Sequence, residues 1–160
     1  STTSQTPILF GDTVIQNGRG NGVTAFRVVQ KGDAFETVDV WRTEEVALHM
    51  TNGVVVDGML FGLSHLNSGQ YFGLDLATGK VLWTSPPRQA ENAAIARAGD
   101  TILSLEDDAE LLVINGSRTG FEVVKRYADI APSATWAQPA LSGNRLFVKD
   151  VSTLALWTVP

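Results

Sequence analysis

Four times along this chain a short turn pair built from Gly, Asp or Asn sits between two strand-like runs. The stretches are "ILFGDTVI" (Ile8 to Ile15), "VVVDGMLF" (Val54 to Phe61), "IARAGDTIL" (Ile95 to Leu103) and "ALSGNRLF" (Ala140 to Phe147), and the pairs are Gly11-Asp12, Asp57-Gly58, Gly99-Asp100 and Gly143-Asn144. They define a repeat of about 41 to 47 residues. Such pairs tolerate positive φ and supply the twist of a tight antiparallel hairpin, so each copy opens with one. The second and third residues after each pair are apolar: Val14-Ile15, Leu60-Phe61, Ile102-Leu103 and Leu146-Phe147. One strand position is therefore packed in the same way four times.

A second hairpin follows in the first three copies. It reads "TAFRVVQKGDAFETVDVW", "YFGLDLATGKVLW" and "ELLVINGSRTGFEVVKRY", with Gly32, Gly79 and Gly120 in the turns, and closes on Trp41, Trp83 and Tyr127. Four antiparallel strands per copy, repeated, is the pattern of a β-propeller blade. The apolar spacing follows two rather than 3.6, and Gly or Pro interrupts nearly every stretch long enough for a helix. Only "TEEVALHM", Thr43 to Met50, has room for a turn or two of helix, between blades. The expectation is an all-β, single partial propeller over residues 1–160, with blades near 7–42, 52–84, 93–127 and 137–160. The last copy, ending "STLALWTVP", holds three strands, not four.

An open row of blades exposes two blade faces and an edge strand, which invite partners. Those partners are expected to be the remaining blades of a larger propeller, another copy of the chain, or a complementary strand from the N-terminal side. For that strand "TPILF" or the residues before it are the candidates.

Composition narrows the function classes. Twelve Lys and Arg against seventeen Asp and Glu leave a net charge of −5, with the basic residues scattered. That distribution gives no phosphate-tracking stripe, so no nucleic-acid partner is expected. No apolar run approaches the roughly 18 to 20 residues that span a bilayer, so no membrane span is expected. "STTSQTPILF" carries neither a basic leader nor a long apolar stretch, so no signal peptide is read in it. The absence of cysteine removes disulfides, thiolate metal sites and cysteine nucleophiles.

Candidate chemistry is sparse. His49 and His65 are the only histidines; they sit in different contexts, one before an inner strand and one in the hairpin loop "LSHLNSGQ", and carry no metal-ligand spacing. His49 is the better candidate, because residues just before an inner strand tend to face the channel mouth, and Trp136 and Gln138 precede the last inner strand in the same way. The run "EDDAE", Glu106 to Glu110, lacks the alternating spacing and distal Glu of a calcium loop and reads as a solvated hairpin turn. "GRGNG", Gly18 to Gly22, reads as a hairpin loop because no helix follows it. No nucleophile elbow, phosphate loop or dinucleotide fingerprint is present.

The stretch "GLDLATGKVLW", with Asp75, Thr78, Gly79 and Trp83, resembles the tryptophan-docking motif of the bacterial PQQ-like propeller repeats, commonly Leu-Asp, then Thr-Gly-Lys, then Trp. Trp41 ends the first copy similarly. The resemblance departs at Lys31-Gly32-Asp33 and at Tyr127, and the Gly-His and Trp-Asp dipeptides of WD repeats are absent. It implies that Trp83 covers the seam to the next blade, largely buried, and that the chain is similar to the C-terminal half of a larger ring. It further implies a bacterial envelope or secreted setting, periplasmic or extracellular. The function it implies is a non-enzymatic binding or interaction module with a protein or carbohydrate ligand. An outer-membrane assembly scaffold, a carbohydrate-binding envelope protein and the C-terminal part of a quinoprotein oxidoreductase are the alternatives. Family dehydrogenases hold their quinone in a complete ring with calcium-binding acids, often beneath a vicinal disulfide, so no cofactor is expected here.

Overall fold

Alternating strands and tight turns assemble into four antiparallel sheets, each a meander whose spatial order is its chain order. The computed structural model describes residues 5–18, 20 and 22–159. The first sheet holds β1 (Ile8–Phe10), β2 (Thr13–Gly18), β3 (Gly22–Lys31) and β4 (Ala34–Thr43). The second holds β5 (Val54–Val56), β6 (Met59–Ser64), β7 (Gln70–Asp75) and β8 (Val81–Thr84). The third holds β9 (Ala93–Ala98), β10 (Thr101–Glu106), β11 (Leu111–Asn115) and β12 (Glu122–Tyr127). The fourth has three strands: β13 (Ala140–Ser142), β14 (Arg145–Lys149) and β15 (Leu154–Thr158). The chain is a row of β-propeller blades, with a single 3-10 turn, Leu66–Ser68, as the only helical element among the described residues. At the β5–β6 turn Asp57 and Gly58 take φ of 46° and 66°, the paired left-handed geometry that a two-residue hairpin with native twist requires.

The period of two explains the core. Successive side chains of a strand point to opposite faces, so a blade between two others must be apolar on both. All six residues of β6 are buried. Met59, Phe61 and Leu63 pack with Ile95, Ile102, Leu112 and Ile114 of the third sheet, while Leu60 joins Phe72 and Leu74 against Ile15, Val23 and Ala25 of the first. Leu103, Leu105 and Leu111 meet Leu146 and Val148 of the fourth sheet. Three seams therefore carry the hydrophobic stabilisation, each fully buried Leu, Ile or Phe contributing roughly 1.5–3 kcal/mol. No core cluster joins the first and fourth sheets among the described residues.

Two expectations are corrected here. Residues 43–50 form no helix: Val46, Ala47 and Leu48 are buried at three consecutive positions, and Leu48 bridges to Ser64. A helix would turn one of those three away from the seam between the first two sheets, whereas an irregular extended segment buries them all. The "ILF" of "TPILF" is not a spare strand for the fourth sheet either, because Ile8–Phe10 pairs with β2 as the first strand of the first sheet. The "GRGNG" loop joins β2 to β3, with residues 19 and 21 outside the described set.

Candidate functional site

Sequential antiparallel strands put two kinds of connection at opposite ends of the blades. The first-to-second and third-to-fourth strand turns lie at one end; the second-to-third loops and the links between sheets lie at the other.

The first end is adhesive. Trp41 Nε1 donates to Leu76 O at 3.0 Å, across to the second sheet. Its indole lies on Gly79, where a Cβ would stand 2.5 Å from the ring and where φ is +74°, so both space and backbone require glycine. Trp83 repeats the move one sheet on, donating to Ser117 O at 3.1 Å and meeting Phe121 with ring centroids 6.1 Å apart. Its burial is intermediate, packed against the core cluster of the second and third sheets. Asp75 closes the turn: its Oδ1 accepts from the Thr78 amide at 2.9 Å and hydroxyl at 2.8 Å. Its other oxygen takes Arg118 of the third sheet, which also donates to Asp57 O at 2.9 Å. The Arg118 hydrogen bond, aided by Thr78, holds the Asp75 carboxyl below its usual range.

Tyr127 does not continue this series. Trp41 pairs with Ala25 and Trp83 with Gly73, each just after a bulge in the outer strand, and the residue in that register in the third sheet is Lys125, opposite Val113. Tyr127 lies two residues further on, 37% exposed, with the Lys125 ammonium 5.0 Å above its ring. The signal was available in the spacing, since 41, 83 and 125 are evenly separated.

At the other end the structure brings together residues that the sequence keeps apart. His65 donates through Nδ1 to Ala47 O at 2.8 Å, and its backbone N–H reaches the same oxygen at 3.1 Å. Ser64 Oγ accepts the Ala47 amide at 3.1 Å, so the link carrying His49 is stitched to the loop carrying His65. The two rings, read as belonging to different contexts, are 5.7 Å apart, tilted by 57°. Among the described residues no group of three His, Asp or Glu side chains is placed to hold a metal ion.

"EDDAE" is likewise more than a solvated turn. Asp108 is exposed, but Glu106 closes β10 at 2% exposure with its side chain in the seam. Tyr71 of the second sheet donates to Glu106 Oε1 at 2.8 Å, and Ser104 Oγ lies 2.7 Å from the same phenol oxygen. Burial above all, with Glu110 and Asp108 nearby, pushes the Glu106 carboxyl up to about 7, against the opposing bond from Tyr71. Burial first and Glu106 second push the Tyr71 phenol well above its ordinary range. Glu110 pairs with Arg126 at 2.8 Å. The alternation of "TILSLE" already places Ser104 and Glu106 on one face with Ile102; that Tyr71 meets them depends on the stacking of two blades.

Of the residues before the last inner strand, Gln138 is structural: its amide donates to Ile95 O of the third sheet. Trp136 is 59% exposed. The neighbouring Thr135 fixes it, through Oγ1 to Glu106 O at 2.7 Å and its amide to Asp107 O at 3.1 Å. This end thus displays a large aromatic on an anchored link beside a buried polar network.

Solved structures show the same architecture. A chain from the crystal structure of BamB from Moraxella catarrhalis is 16% identical, with a TM-score of 0.61 over 92% of this chain and 43% of that one. The computationally designed Ika4 protein is 13% identical, with a TM-score of 0.70 over 100% of this chain and 92% of that one. A chain of the mitotic checkpoint complex is 16% identical, with a TM-score of 0.69 over 93% of this chain and 46% of that one. This chain thus spans less than half of the BamB and checkpoint-complex chains and nearly all of the designed one. No protein-family model matches the sequence, and no curated protein does. No helix among the described residues is long and apolar enough to cross a membrane. At these identities the likeness establishes the β-propeller fold.

Proposed function

We propose that this chain is a non-enzymatic binding module, built on PQQ-like repeats, that works in a bacterial envelope or secreted protein by engaging a protein partner. The observation that carries the reading is Trp136. A tryptophan 59% exposed on a link tied down by Thr135 and Gln138 contributes little to any seam, yet the link that carries it is held in advance on both sides. Aromatic anchors on rigid loops are the residues that dominate protein interfaces. Met50, 55% exposed on the link that carries His49, adds an adaptable apolar contact at the same end. The likeness to BamB supports an envelope setting, and the docking geometry of Trp41 and Trp83 supports the PQQ-like assignment.

The test is an NMR titration with a panel of extended peptides and soluble oligosaccharides. Saturable shifts of the Trp136 indole with peptides, lost in Trp136→Ala while the fold is retained, are expected. Saturable shifts confined to the Gly79 end of the blades, or turnover of a bound probe, would overturn the reading.

A further inference from the structure

Each internal seam is built from two unlike surfaces. The forward surface of the second sheet, with Met59, Phe61 and Tyr71, meets the backward surface of the third, with Ile102, Leu112 and Ile114. The first sheet leaves its backward surface uncovered, and the fourth leaves its forward surface uncovered. These two faces are the complementary halves of one more seam. By register, the open face of the first sheet carries Leu9, Val14, Gln16, Thr24, Phe26 and Asp39. Part of it is a groove of about 490 Å³. The open face of the fourth carries Arg145, Phe147, Lys149, Leu154 and Leu156.

Both faces keep apolar residues, with Leu9 75%, Leu154 65% and Leu156 56% exposed. Both are also wetter than the seams inside the molecule. Positions that hold Gly62, Phe72 and Val81 in the second sheet hold Gln16, Thr24 and Asp39 in the first. Positions that hold Met59 and Leu63 in the second sheet hold Arg145 and Lys149 in the fourth. A seam with a reduced apolar core and a polar complement suits subunits that come together after folding, not blades that fold as one unit.

Arg42 also lines the first face but is paired with Glu44 at 2.8 Å, which leaves Asp39 as the charge on that face free to meet a cation. Asp39 lies in the row of Val14 and Phe26, the second row from the first-hairpin turn, and Arg145 lies with Ser142 and Thr158 in the first row from that turn, so each holds the row of its own open face closest to the turn. Neither has an ion-pair partner among the described residues.

We propose that the occupant of both faces is a second copy of this chain. Two copies close head to tail, the first sheet of each on the fourth sheet of the other, with Asp39 opposite Arg145 across both new seams. Closure requires unlike faces to meet and leaves neither open, the condition that separates a ring from a growing filament.

Sedimentation velocity and light scattering across a dilution series test this, with circular dichroism verifying the fold of each variant. The expected result is a species of twice the chain mass that dissociates on dilution and in salt. Asp39→Arg alone and Arg145→Asp alone should each weaken association by about tenfold or more, since like charges then face one another. Mixing the two single variants should restore it, because each seam then pairs opposite charges, and the double variant should associate as the parent does. A monomer at every concentration, growth beyond two copies, or a dimer indifferent to both reversals would overturn the proposal. The last outcome would place the contact elsewhere, for example at the open edge of β15.

Discussion

Trp41 and Trp83 do more for this molecule than their half-buried state suggests, because each joins two sheets with one indole and one directed hydrogen bond. Trp83→Ala should lower stability by about 3 kcal/mol, combining lost aromatic packing with an unpaired Ser117 carbonyl. Chemical denaturation measures this directly, and a shift near zero would contradict the docking role. Tyr127→Ala provides the contrast: outside the docking register, it should change stability by no more than about 0.5 kcal/mol. Gly79→Ala should cost at least about 1–2 kcal/mol, since alanine resists the left-handed backbone and its Cβ enters the Trp41 ring.

Among the elements, β10 couples structure to pH. The second strands of the second and third sheets end in Ser64 and Glu106, and that of the fourth is followed directly by Asp150; two of these side chains accept hydrogen bonds from nearby amides. Ser64 accepts from Leu66 and Ala47, and Asp150 from the amides of Ser152 and Thr153. Those bonds to Thr153 and Ser152 hold the Asp150 carboxyl below its usual range, whereas burial raises that of Glu106. A carboxyl raised from 4.5 to about 7 binds its proton more tightly in the folded state, so the folded protein retains a proton that the unfolded chain releases between those values. Its stabilising contribution is complete below 4.5 and disappears as pH rises through 7. The decline over that window is roughly 3 kcal/mol at most. Melting temperatures of Glu106→Gln between pH 5 and 8 should therefore be flatter than those of the parent, and identical profiles would remove Glu106 from the account.

For the whole molecule, a row of blades leaves two unlike faces and the loops at both ends accessible. The resemblance to quinoprotein repeats makes a cofactor titration worthwhile. Pyrroloquinoline quinone added with calcium, followed by tryptophan fluorescence, should give no saturable change at micromolar concentrations, and saturation would revive an oxidoreductase reading. This readout is independent of the association experiment, so either result can stand without the other.

The repeat itself was legible in the chain. Turn pairs such as Asp57-Gly58 and short continuous apolar runs between them such as "MLFGLS" point to strands buried on both faces, as in a four-stranded meander stacked between two others. Trp41 and Trp83 were legible for the same reason, as a periodic position that only a neighbouring sheet can cover. What needed the tertiary structure was every contact between sheets. The strand bulges set Lys125, and not Tyr127, in the docking register. The stitched links placed His49 beside His65, and the stacking of the second sheet on the third turned Glu106 from one acid of a turn into a buried group with a shifted carboxyl. Periodicity records which face of a strand a residue occupies; which residue of the next blade it meets depends on the rotation and offset between two sheets, and those are set by packing that no local pattern encodes.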